Sequence, residues 1–323
     1  MRPEPDKVER VAVIGAGTIG ASWATLFLSK GLSVAVYDPM DGAETRVRTF
    51  IERAWPALER LGLDQRADPT RLSFFDDPAD AAADATFLQE SGPENLSEKR
   101  DLYTRLEQRL PPEAIVSSST SGLMPSELQE GRVKPERYVV GHPFNPPHLI
   151  PLVEVVGGSG AEASVVDWTM AFYGWLGKKA IRIEKEMPGH VANRMQAALY
   201  REAIHLVLEG VATPADVDAA IAYGPGLRWA LMGPHALHAL AGGEGGLRHL
   251  LEHIGPGIDA WWQTLGEPRI TPETIERLVQ AYQADAPLPI SELAAKRDVL
   301  LPALLAMLAK ARAEEGSSSA TSS

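Results

Sequence analysis

His142 and Glu154 are the residues of this 323-residue chain whose types and surroundings most directly suggest proton chemistry. His142 lies in Gly141-His142-Pro143-Phe144-Asn145-Pro146-Pro147, just after an expected strand, and Glu154 interrupts the apolar run Leu152-Val153-Glu154-Val155-Val156. Imidazole titrates near neutral pH, so it can take the proton of a secondary alcohol while hydride leaves the carbon. A carboxylate on the other ring nitrogen would fix the tautomer and stabilise the imidazolium. A carboxylate inside an apolar strand is costly unless it is paired, which makes Glu154 informative from its surroundings alone. Taken singly, each also has a plainer reading: a satisfied histidine in a proline-rich loop, and an acid paired with a structural arginine.

Hydride needs an acceptor, and the start of the chain offers a place for one. The apolar run Val11-Ala12-Val13-Ile14 leads into Gly15-Ala16-Gly17-Thr18-Ile19-Gly20, and a helical pattern with Trp23, Leu26, Phe27 and Leu28 comes next. In such a strand, turn and helix, the first glycine permits the tight turn, the second admits a pyrophosphate and the third lets helix and strand pack closely. Phosphate then sits on the helix N-terminus at Thr18 and Ile19, where unpaired N–H groups and the dipole attract it. Asp38 closes the next apolar run, about 20 residues downstream, where an acid accepts both ribose hydroxyls. Pro39-Met40-Asp41 come after it with no basic residue, so NAD is expected rather than NADP. A glycine-rich turn of another α/β protein is the plain alternative.

The elements that must hold these residues are set by apolar periodicity. Strands are predicted at 11–14, 33–37, around Phe74, and at 86–89, 115–118 and 138–141, with helices over 42–62 and 94–110 and a helix start at Pro125-Ser126-Glu127-Leu128. Ala79 to Ala85 reads as a small-residue connection. This alternation predicts an α/β protein, an N-terminal Rossmann-type doubly wound parallel sheet followed by an all-α C-terminal domain. The boundary is expected near Pro188, giving an NAD-binding domain over 1–187, a helical substrate and dimerisation domain over 188–315, and a disordered serine-rich tail over 316–323. Val191, Met195, Ala198, Leu199 and Leu206 form an apolar stripe on the first helix beyond that boundary, and Gly210 is expected to end it.

Composition narrows the partners. Lys and Arg total 31 against 43 Asp and Glu, a formal charge of −12, which argues against nucleic acid or an anionic membrane. With no cysteine and no His-Glu-x-x-His spacing among eight histidines, no metal site is expected. The N-terminal residues carry no apolar leader and no run of about 18 apolar residues occurs, so a cytoplasmic protein acting on a small molecule is the expectation.

Four motifs occur here in a specific order: Ser119-Thr120-Ser121-Gly122-Leu123, the His142 segment, Pro151-Leu152-Val153-Glu154-Val155-Val156, and Gly189-His190-Val191-Ala192-Asn193-Arg194. Together they resemble the 3-hydroxyacyl-CoA dehydrogenase family over nearly the whole chain apart from the tail. The resemblance implies an NAD-dependent alcohol dehydrogenase, a homodimer, with His142 as general base paired to Glu154. It further implies that Ser121 bonds the substrate hydroxyl, Asn193 contacts the reacting oxygen, and Glu94 and Lys99 lie at the NAD. On the residues alone, Ser121 reads more readily as a turn residue or helix N-cap, Asn193 equally as a cap or a surface polar group, and Glu94 and Lys99 as solvated helix charges.

Three departures mark this chain within the family: Ser119 where an Asn is usual, Gly122 where a second Ser is usual, and Pro143 where an aromatic usually follows the histidine. They imply a pocket reshaped for a substrate other than a thioester. The stretch from Tyr223 to Pro234 is similar to the branch that oxidises L-carnitine, whose quaternary ammonium is met by aromatic faces. Phe144, Tyr223, Trp229, Trp261 and Trp262 are the candidates for that contact, and Arg194 and Arg228 for the carboxylate. A 3-hydroxyacyl-CoA and L-gulonate are the alternative substrates, and a binding protein that has lost catalysis is the alternative class.

Overall fold

The computed structural model describes residues 2–320, apart from the side chains beyond Ala311, and divides into two compact units. One runs to Asn193 and includes Leu300–Ala306; the other comprises Arg194–Val299 and the chain from Met307.

The first unit is built of β1 (Arg10–Ile14), α1 (Thr18–Ser29), β2 (Ser33–Tyr37), α2 (Ala43–Leu61), β3 (Leu72–Phe74), α3 (Pro78–Ala82), β4 (Phe87–Glu90), α4 (Leu96–Leu106), β5 (Ile115–Ser118), α5 (Pro125–Gln129), β6 (Tyr138–Pro143), β7 (Leu152–Gly157), α6 (Ala163–Trp175) and β8 (Lys179–Arg182). The strands form one sheet in the order β3-β2-β1-β4-β5-β6-β7-β8. Side chains alternate across it. Val11, Val13, Val34 and Val36 join Trp23, Phe27, Ile51 and Phe172 in one core, while Ala12, Ile14 and Ala35 join Tyr103 and Leu106 in another. Helices therefore cover both faces, which a mainly parallel sheet requires.

Two expectations are corrected here. β6 continues through His142 and Pro143, and the next pair, β6 with β7, is antiparallel, whereas every other neighbouring pair is parallel. His142 is thus inside a strand, because residues 141–143 still pair with residues 153–155. The expected connection 79–85 begins instead as α3: Asp77 caps it by accepting the Ala79 N–H at 2.7 Å, and Pro78 takes the first-turn position that tolerates it.

The second unit is helical, from α7 (Ala192–Leu208) through α8 (Pro214–Ala222), α9 (Pro225–Trp229), α10 (Pro234–Ala241), α11 (Gly246–His253), α12 (Gly255–Trp262), α13 (Pro272–Ala284) and α14 (Ile290–Ala320). Gly210, at φ 69°, lies just past the end of α7. The helical backbone of α14 covers part of the expected tail, and residues 321–323 lie outside the described residues. Ile204 and Leu250 are the only apolar side chains described as buried between Arg194 and Val299. Of the stripe expected on α7, Val191, Met195 and Leu199 are exposed.

At the carboxyl end of β4 the fold holds a charge pair sealed from water. Lys99 donates to Glu90 at 2.6 Å, with both side chains at most 1% exposed. The Tyr103 and Ser118 hydroxyls and the Gly92 N–H also donate to the Glu90 carboxylate. Removing one partner of such a pair strands the other charge. Lys99→Met should lower unfolding free energy at neutral pH by about 3 kcal/mol, read by urea denaturation; a loss under about 1 kcal/mol would show the pair to be dispensable.

Candidate active site

The carboxyl edge of the sheet carries a glycine-lined cradle where the strand order reverses between β1 and β4. A Cβ on Gly15, at φ 86°, would lie 2.7 Å from the backbone of Ser91 and Gly92, so the loops after β1 and β4 meet only because glycine is there. A Cβ on Gly20 would strike the Gly15 carbonyl oxygen at 1.9 Å, whereas the Cβ position of Gly17 is open. Gly17 caps α1 with no side-chain bond, and the N–H groups of a first helical turn have no intrahelical acceptor. Asp38, at the end of β2, accepts the Ala16 N–H at 2.6 Å and the Met40 N–H at 2.9 Å. A cavity of about 630 Å³ is lined by Gly15, Gly17, Asp38, Met40, Gly92 and Leu102, among others. A helix N-terminus facing open space, with an acid at the neighbouring strand end, fits the pyrophosphate and ribose of a dinucleotide.

The residues expected beside it have more committed roles than solvated charges. Lys99 borders the cavity, but its ammonium bonds Glu90 and the Gly92 carbonyl. One oxygen of Glu94 accepts from the Thr120 hydroxyl at 2.6 Å and from the Ser121 and Gly122 N–H groups at 2.9 Å. Glu94 therefore fixes the loop that carries Ser121. Ser119 is held in turn by Gln89 and Ser91, at 2.8 and 2.9 Å.

The antiparallel register places His142 directly opposite Glu154. Nδ1 of His142 lies 2.8 Å from Oε2 of Glu154, and both side chains are buried. The carboxylate thus fixes the proton on Nδ1 and leaves Nε2 as the acceptor. The Val191 and Ala192 N–H groups donate to the other Glu154 oxygen at 3.0 and 2.8 Å. Burial pushes the Glu154 carboxyl up, but the bonds from His142, Ala192 and Val191 outweigh it and hold it below its usual range. Phe144 sets its ring edgewise to His142, with centroids 5.0 Å apart. The Asn193 amide reaches the Ser121 carbonyl at 3.5 Å. A second imidazole, His190, packs 5.1 Å from that of His142. Its position in Gly189-His190-Val191 gave no sign of this, because its partner, the Thr120 carbonyl, is 70 residues earlier.

An imidazole with one free ring nitrogen and a buried acid on the other, on the same sheet edge as a cradle that fits a dinucleotide, could oxidise an alcohol. Residues 10–187 match the 3-hydroxyacyl-CoA dehydrogenase, NAD binding domain, and residues 189–287 the 3-hydroxyacyl-CoA dehydrogenase, C-terminal domain. The chain belongs to the 3-hydroxyacyl-CoA dehydrogenase family. It is 48% identical to the L-carnitine dehydrogenase of Streptomyces coelicolor, over 91% of this chain and 93% of that protein. It is 43% identical to the L-carnitine dehydrogenase of Burkholderia mallei, over 96% and 97%. Among solved structures it is similar to an NAD+-dependent dismutase, 5-formyl-3-hydroxy-2-methylpyridine 4-carboxylic acid 5-dehydrogenase. There the TM-score is 0.82, with 30% identity over 93% of this chain and 98% of that one.

In this 3-hydroxyacyl-CoA dehydrogenase family member, Phe144 is the one substrate-contact candidate belonging to the sheet unit. Arg194, Tyr223, Arg228, Trp229, Trp261 and Trp262 belong to the helical unit. The four aromatic rings of that group are exposed, and none stacks on another aromatic ring among the described residues. Among the described residues no His, Asp and Glu cluster fit for a metal occurs, and no helix is long and apolar enough to cross a membrane.

The loop after His142 is pinned from below. Lys178 donates to the Ile150 carbonyl at 2.5 Å and to the Pro147 carbonyl, with its ammonium 5.3 Å from the Trp23 ring centre. Ser22 of α1 bonds both the ring and the N–H of His148, at 2.7 and 2.8 Å. Burial pushes Lys178 down from 10.5 to about 7. Between those values the unfolded chain binds the proton that the folded chain has lost, so stability rises with pH across that window. Relative to Lys178→Met, the native chain should gain stability from pH 7 to 10.5 and hold a constant difference below 7, in urea titrations at stepped pH. A difference that does not change with pH would contradict the depressed ammonium.

Proposed function

We propose that this protein oxidises the 3-hydroxyl of L-carnitine to the ketone of 3-dehydrocarnitine, with His142 as general base and NAD as oxidant. The observation that carries the proton-transfer reading is the buried 2.8 Å bond between His142 and Glu154. The substrate reading is supported by the likeness to L-carnitine dehydrogenases over nearly the whole chain. His142 Nε2 takes the hydroxyl proton, Nδ1–H stays on Glu154, and the carboxylate stabilises the imidazolium. Ser121 and Asn193 orient the reacting oxygen. The first turn of α1, from Gly17 to Gly20, and Asp38 hold the dinucleotide, while Glu94 and Lys99 act through the loops they support. Bound NAD supplies the hydride acceptor. The Phe144 ring beside the base suits a quaternary ammonium, which cannot donate an N–H hydrogen bond and is met by an aromatic ring. Arg194 or Arg228 is our candidate for the carboxylate, with Tyr223, Trp229, Trp261 and Trp262 as further contacts. We place the enzyme in the cytoplasm, where NAD is available.

Offered L-carnitine, 3-hydroxybutyryl-CoA and L-gulonate separately with NAD in mildly alkaline buffer, the protein should form NADH with L-carnitine, and His142→Ala should reduce that rate about a thousandfold. Turnover of the thioester but not of carnitine would overturn the substrate, and an active His142→Ala would overturn the base.

A homodimer is also part of this proposal. The helical unit leaves Leu199, Trp229, Trp261 and Trp262 exposed, apolar side chains that a second copy would cover. Light scattering after size exclusion should give twice the mass of one chain; a monomer at micromolar concentration would refute it.

A further inference from the structure

His190 is 1% exposed and sits at φ 52°, a left-handed conformation that few residues other than glycine adopt. Its Nε2 lies 3.2 Å from the Thr120 carbonyl, which can only accept, so Nε2 carries the ring proton. Nδ1 is buried without a hydrogen-bond partner. The ring packs 5.1 Å from that of His142. The turn at Gly189 and His190 delivers the Val191 and Ala192 N–H groups to Glu154.

We propose that His190 is a positioning residue: an uncharged imidazole brace that joins the Ser121 loop, through the Thr120 carbonyl, to the turn whose N–H groups hold Glu154 behind His142. The inference rests on His142 being the base and deepens that reading. The groups facing His190 are His142 on β6, Glu154 on β7, Glu94 beyond β4 and the Thr120 carbonyl beyond β5. Burial and then His142 lower the tendency of His190 to protonate, against the pull of the bond to Thr120 and of the two acids. A neutral ring there leaves Glu154 to stabilise the charge that develops on His142 alone.

Three variants of the full-length enzyme test this. His190→Phe keeps a ring but no donor, His190→Gln keeps an amide donor near the position of Nε2, and His142→Ala reports on the base itself. His190→Phe should lower kcat about 30-fold while NADH affinity, followed by fluorescence, changes less than about threefold. It should also move the acid limb of kcat/KM up by about one pH unit, since loosened N–H groups leave Glu154 a stronger partner for imidazolium. His190→Gln should restore kcat to within about fivefold and return the limb to its native position. Ring nitrogen NMR of the native enzyme should show His190 protonated at Nε2 alone at neutral pH. If His142→Ala is inactive while His190→Phe keeps native kcat and pH profile, the brace is refuted and the base stands. A His190 protonated on both nitrogens would also refute it. An active His142→Ala would overturn the base itself.

Discussion

A carboxylate shut away from water at Glu154 is the constraint on which the arrangement around His142 depends. An ionised acid inside a sheet is tolerated only when donors meet it. Here they come from two directions: His142 across the strand pair, and the Val191 and Ala192 N–H groups from the turn that leads into α7. The reversal of β7 sets this up, because antiparallel pairing puts residue opposite residue on one face. Depression of the Glu154 carboxyl is the electrostatic expression of the same arrangement: the bonds it receives outweigh the burial that opposes its charge.

The cradle at the glycine loop and the pair at His142 are joined by the short segment that ends β4 and enters α4. Glu90 anchors Lys99, Gly92 presses on Gly15, and Glu94 gathers the loop bearing Ser121. Two acids four residues apart thus support different halves of the site, one by sealing a charge pair and the other by collecting backbone donors. Beneath the far side, Ser22 of α1 holds His148, so the helix that begins at the glycine loop also steadies the loop after His142.

Much of this was legible in the sequence where a signal is local. The run Val11–Ile14 with its glycines announced both a strand and the turn into α1, and the acid within Leu152–Val156 announced a partner. The direction of β7 was not legible, because an apolar run carries no sign of whether its neighbour runs with or against it. The end of β6 is not marked locally, because His142 and Pro143 look like loop residues until their partners on β7 are known. Lys99 read as a surface charge since the acid that buries it lies on another element, and α3 was hidden by its alanines although Asp77 and Pro78 marked its start. His190 depends on a carbonyl that only tertiary structure brings near. The aromatics of the helical unit are identifiable as a set, but periodicity alone says nothing about which surface they serve.

His142 and Glu154 are twelve residues apart, on strands joined by the loop 144–151. The entropy lost in closing a chain segment grows with its length, so gathering these two groups is inexpensive beside bringing the glycine loop to the end of β4. The paired imidazole and carboxylate are, in this sense, a property of one hairpin. Inheritance of the pair requires a single short segment to be kept, not distant positions held in step.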